Sequence, residues 1–151
     1  EDWFYEQQQL GFNYRMTELN AALGLSQIER LDNYVTKRNE IAQQYITTLA
    51  EQPIVFQTID EHSYSAYHLM IMQLNDDAII DRASLYQELK NQGIGVNVHY
   101  IPIHYQPYFK KMGFKLGDFP HAEAYYNRCL SLPLYHNLSE QDLQKIINLH
   151  A

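Results

Sequence analysis

At 151 residues the chain has room for one domain with a real core and not for two large ones. Apolar residues make up 46% and charged residues 19%, as in ordinary globular proteins, and a formal net charge of −7 argues against non-specific nucleic-acid binding and gives no reason to expect an anionic membrane partner, because both need a surplus of Lys and Arg. No apolar run approaches the ~20 residues of a membrane span, the opening Glu1-Asp2-Trp3-Phe4-Tyr5 is not signal-like, and the single cysteine, Cys129, excludes an internal disulfide framework; a cytoplasmic protein is the simplest expectation.

Residues 1–16 read as an irregular arm, since Trp3, Phe4, Tyr5, Leu10, Phe12 and Tyr14 follow neither a helical nor a strand period. So aromatic an arm needs a surface to pack on, in a missing domain or a partner. Residues 17–52 read as connecting helices, one long or two consecutive. Thr17 is a plausible N-cap with Glu18 just inside it, the apolar face runs from Met16 to Leu31, Asp32-Asn33 is the expected bend, and Pro53 is the stop.

Residues 53–151 read as a small domain. Ile54-Val55-Phe56 and Ala66–Met72 are expected as strands. Asp81 caps a helix carrying Leu85, Tyr86 and Leu89, with Gly93 at its C′ position. A third strand is expected over Val96–Tyr100, then a loop stiffened by Pro102 and Pro107 and a polar loop to Pro120. His121–Leu130 suits a helix, Leu132-Pro133-Leu134 a short extended piece, and Ser139 with Asp142 a capping box for a last helix that buries Leu143, Ile146 and Ile147. The fold class is therefore α+β: one long or two N-terminal helices lead into a mostly antiparallel sheet with helices on one face.

Two segments could carry chemistry. In Gly11-Phe12-Asn13-Tyr14-Arg15-Met16-Thr17, a short amide and a fixed cation precede a helix start, so Asn13, Arg15 and Thr17 could surround a phosphate. The same residues also fit a turn, a surface ion pair and a plain cap. The second segment, His99–Tyr108, gathers His99, Tyr100, His104, Tyr105, Gln106 and Tyr108, groups suited to the hydroxyls, amides and phosphates of a sugar nucleotide, or to ordinary packing. Metal binding by His99 and His104 matches no standard zinc spacing, so no metal is expected. Cys129 reads as a small buried hydrophobe and His68 as a satisfied core residue; His62 and His150 lie in polar or terminal stretches, His136 ends a strand, and Asp76-Asp77 reads as a solvated turn.

These segments resemble the fold-type I pyridoxal-phosphate aminotransferases that act on nucleotide-linked keto sugars. The resemblance rests on Trp3–Glu6, Leu10–Gly24, Gln27–Leu31, His99–His104 and Ser131–Leu134 in order, and it covers nearly the whole chain. The subgroup most resembled is the UDP-4-amino-4,6-dideoxy-N-acetyl-altrosamine transaminases of pseudaminic acid biosynthesis. The resemblance implies the small C-terminal domain of such an enzyme, with pyridoxal 5'-phosphate as cofactor, a UDP-linked 4-keto sugar and glutamate as substrates, and a homodimer with sites at the interface. It implies that Asn13 reaches the cofactor phosphate of the other subunit, and that Arg15, His99, Tyr100 and His104 help with substrate. In the family the lysine that holds the cofactor covalently lies upstream of the Trp-Phe-Tyr block. None of Lys37, Lys90, Lys110, Lys111, Lys115 or Lys145 sits in a matching context, so these 151 residues alone are expected to be an inactive C-terminal portion. A stand-alone dimerisation or ligand-binding module is the alternative.

Overall fold

A computed structural model describes residues 3–148. The chain divides into two compact units, one through Asp32 and one from Asn33. The first unit holds the irregular arm and helix α1, Glu18–Ile28. Thr17 caps α1, its Oγ1 accepting from the Asn20 N–H at 3.2 Å. No residue of α1 is buried, although Leu19, Leu23, Leu25 and Ile28 lie on it.

Helix α2, Leu31–Thr48, follows after a turn at Glu29-Arg30. The break therefore comes ahead of Asp32-Asn33, where it was expected. Arg30 closes the end of α1, donating from Nε to the Ser26 carbonyl at 3.0 Å and from Nη2 to the Ser26 hydroxyl at 2.9 Å. Asp32 then falls in the first turn of α2, where a carboxylate suits the positive end of the helix dipole.

In the second unit, strands β1 (Ile54–Phe56), β2 (Met70–Leu74) and β3 (Cys129–Leu132) form an antiparallel sheet in the order β1-β2-β3. Phe56 pairs with Met72, and Met72 with Leu130. Met70, Met72 and Leu74 alternate into the core, the period-two signature of a strand with one face buried. The rest of the core comes from Ile41, Ala42, Tyr45 and Leu49 on and just after α2, from Leu85 and Leu89 on helix α3 (Arg82–Asn91), and from Leu143, Ile146 and Ile147 on the helix Glu140–Ile147. Asp81 and Ser139 cap these last two helices through Ser84 and Asp142, and Gly93 takes φ 76° at the end of α3, as the capping pattern predicts. Short α4 (Pro107–Lys110) and α5 (Pro120–Arg128) complete the order before β3, so Glu140–Ile147 is α6.

Three expected elements differ. Ala66–Leu69 is not strand, and β2 begins only at Met70. Side chains of α2 take carbonyls in and just before it instead: Arg38 Nη1 donates to Tyr67 and His68 at 2.9 and 3.2 Å, and Asn39 Nδ2 to the preceding Ser65 at 3.0 Å. Tyr67 has φ 42°, which ends an extended run, and His68 is exposed rather than in the core. Val96–Tyr100 makes only one bridge, Asn97 with Ser131, and no ladder. The helix expected over His121–Leu130 stops at Arg128, because Cys129 and Leu130 pair with Gln73 and Met72. None of the described helices is long and apolar enough to cross a membrane.

Candidate functional site

In the arm, Asn13 takes φ 56°, a left-handed conformation that a short polar side chain tolerates better than most. Arg15 Nε donates to Asn13 Oδ1 at 3.2 Å. The guanidinium thus holds the carbonyl end of the amide. Phe12 and Tyr14 stack on one another across Asn13, with ring centroids 5.6 Å apart. Two residues after Arg15, Thr17 opens α1, whose first N–H groups add partial positive charge. The local donor set is an amide, a guanidinium and a helix N-terminus, with Glu18 as the one acid in the first turn. That chemistry fits a phosphate dianion.

The second segment is held from both ends. At its start, His99 Nδ1 lies 2.6 Å from the hydroxyl of buried Ser131, and the Cys129 thiol donates to the His99 carbonyl at 3.4 Å. Cys129 is buried as expected, and burial pushes its thiol up, against a bond to the His99 backbone and the charge of Arg82. The peptide between His99 and Tyr100 is cis. At the far end, a 3-10 turn over Ile103–Tyr105 follows buried Pro102 and places His104 in the interior, 5% exposed. His104 Nε2 lies 2.8 Å from Glu123 Oε1, and the same oxygen accepts the Gly117 N–H at 2.8 Å. Burial alone would raise the Glu123 carboxyl; bonds from His104 and from the Gly117 and Phe119 backbone outweigh it and hold the group below its ordinary range. Burial and the neighbouring Glu123 carboxylate both push the Tyr105 phenol up. Between the two ends, Tyr100 is 73% exposed, and Ile101 and Ile103 are exposed beside it. An apolar cleft of about 360 Å³ adjoins the turn, lined by Ile103, His104, Phe109, Phe114 and Phe119.

The structure thus joins Asn13 to Arg15 and sets His99 edge-on to Tyr100, with ring centroids 4.5 Å apart. His104 faces Glu123 and Phe119, not solvent. Ser131, Gly117 and Glu123 are not among the site residues the sequence predicts. The one local hint was a carboxylate between alanines, Ala122-Glu123-Ala124, and its partner lies 19 residues away. Elsewhere, His136 stacks on Tyr34 at 3.7 Å, and Asp76 pairs with Arg128 at 2.6 Å. His150 lies outside the described residues. No three His, Cys, Asp or Glu side chains gather to hold a metal ion among the described residues.

The sequence model of the DegT/DnrJ/EryC1/StrS aminotransferase family matches residues 1–149. Among curated proteins, the chain is 39% identical over 149 residues to the spore coat polysaccharide biosynthesis protein SpsC of Bacillus subtilis, covering 96% of this chain and 38% of SpsC. Among solved structures, it is similar to Spr1654 of Streptococcus pneumoniae, assigned as a sugar aminotransferase and solved in its PMP form, with TM-score 0.83, 29% identity, and 97% of this chain against 37% of that one. It is also similar to PseC of Helicobacter pylori, an aminotransferase involved in pseudaminic acid biosynthesis, with TM-score 0.78, 28% identity, and 97% of this chain against 40% of that one. The chain spans less than two fifths of SpsC, one of its curated relatives.

Proposed function

The chain belongs to the DegT/DnrJ/EryC1/StrS aminotransferase family, and from that premise we propose that it supplies the C-terminal part of a pyridoxal-phosphate-dependent enzyme that moves an amino group from glutamate to a UDP-linked 4-keto-6-deoxy sugar for a surface glycan of the pseudaminic-acid type. The observation that carries this reading is the phosphate-compatible donor set at Asn13 and Arg15, lying within a family match that runs over nearly the whole chain. The polysaccharide role of SpsC and the PseC likeness favour a glycan precursor as acceptor.

Pyridoxal phosphate, when bound, supplies the electron sink that lets an amino group leave glutamate and enter a keto sugar. In this reading the Asn13 amide donates to the cofactor phosphate of a partner subunit, and Arg15 keeps the amide turned by holding its carbonyl. Exposed Tyr100 offers a phenol to the sugar nucleotide, while His99 and His104 shape the loop that carries it. A second copy of the chain covers the exposed aromatics of the arm, where Trp3, Tyr5, Phe12 and Tyr14 are each more than 70% exposed. Lys37 is engaged with Glu40 at 2.7 Å, and the lysine that holds the cofactor belongs to the cofactor domain, so these 151 residues alone are expected to show no turnover.

The test uses the protein joined to its cofactor domain. Glutamate-dependent amination of a UDP-4-keto-6-deoxy sugar is expected, with visible absorbance from bound cofactor. Asn13→Ala should weaken cofactor retention roughly 10- to 100-fold, the range for losing a hydrogen bond to a charged group. Unchanged cofactor affinity in Asn13→Ala would refute the phosphate role, and absence of amination with every UDP-keto sugar would refute the reaction.

A further inference from the structure

We propose that Glu123 and Ser131 are positioning residues for the sugar-nucleotide loop, acting through His104 and His99 to fix where Tyr100 stands. The inference rests on the aminotransferase reading above and adds two residues to it.

The loop from His99 to Tyr105 has one buried pin at each end. Ser131 sits in β3 at 5% exposure, and its hydroxyl meets His99 Nδ1 at 2.6 Å. Glu123 sits in α5 at 9% exposure, and its Oε1 meets His104 Nε2 and the Gly117 N–H, each at 2.8 Å. The Glu123 contact ties three pieces of chain together: the 3-10 turn, the Gly117 loop and α5. Neither pin presents an open face to a ligand. What the pins hold is the short stretch between them, where Tyr100, Ile101 and Ile103 face outward at 73%, 51% and 67% exposure. Burying the His104 imidazole without a partner would be costly, and both it and half-buried His99 find their partners on other elements. A loop held this way loses little further freedom when it meets a ligand, so its pins belong to affinity for that ligand. Glutamate, the small amino donor, does not need the same span of loop, so the pins should act on one substrate and not the other.

The experiment compares Glu123→Ala, Glu123→Gln and Ser131→Ala in the enzyme joined to its cofactor domain. Hydrogen exchange over residues 99–105 is read in cofactor-loaded protein without substrate, and KM is measured for each substrate. Glu123→Ala and Ser131→Ala should each raise KM for the UDP-sugar about tenfold, with KM for glutamate held within about twofold, the split expected when binding to one substrate alone is lost. Exchange over 99–105 should accelerate while β2 and α6 keep wild-type protection. Glu123→Gln, which retains an acceptor oxygen, should restore both readouts to near wild type. Equal rises in both KM values, unchanged exchange over 99–105, or no rescue by glutamine would each overturn the proposal. Should Glu123→Ala fail to fold, the smaller Ser131→Ala change decides the same question. If the wild-type enzyme aminates no UDP-sugar, the functional reading falls first, and the exchange comparison still decides whether the two residues pin the loop.

Discussion

Tyr45 shows how one polar atom ties the core together. The residue is fully buried on α2, and its hydroxyl donates to the Pro133 carbonyl at 2.9 Å, just beyond β3. Burial, and then the neighbouring Tyr135, push its phenol far above the ordinary range, so the proton stays in place at any working pH. Tyr45→Phe keeps the ring and strands the Pro133 carbonyl. It should lower unfolding free energy by about 1–3 kcal/mol, the cost of leaving a buried acceptor unpaired, measured as a fall in the urea midpoint at constant m-value. His104 poses the same kind of problem with a different consequence. Its residue type and neighbourhood made it a substrate candidate, yet the ring is buried against Glu123. Residue type is legible in a sequence, but the direction in which a side chain points depends on a partner 19 residues further on.

Elements formed where their signals were local. Thr17, Asp81 and Ser139 each cap a helix through a side-chain oxygen that accepts a backbone N–H three residues later, and each was readable from the chain alone. Ser139→Ala should therefore cost about 1 kcal/mol in thermal or chemical denaturation, because α6 carries Leu143, Ile146 and Ile147 into the core and frays from its uncapped end. A loss well below that would mean that packing of the apolar face alone holds the first turn. Strands were legible only in part. β1 and the buried alternation of Met70 and Met72 gave themselves away, whereas Ala66–Leu69 looked equally strand-like and is held off the sheet by Arg38 and Asn39. Cys129-Leu130 looked helical by periodicity and pairs as strand, because a ladder with β2 outweighs a weak local preference.

At the scale of the molecule, stability is unevenly distributed. β2 lies between β1 and β3 with three of its five residues buried, while α1 has none. An 11-residue helix without a buried face is marginal on its own. Native-state hydrogen exchange should find the Met70–Leu74 amides among the slowest and the α1 amides close to unprotected; slow exchange throughout α1 in the isolated chain would contradict this. The α+β class, the caps and most of the core, together with the family, were legible along the chain, since these follow from patterns within a turn or two and from ordered motifs. It took the tertiary fold to turn His104 inward, to choose which strand-like segment joins the sheet, and to bring Ser131 and Glu123 to His99 and His104. The reason is physical: caps and periodicity act between neighbours in the chain, whereas a buried imidazole or a sheet ladder is satisfied by groups that only folding brings near.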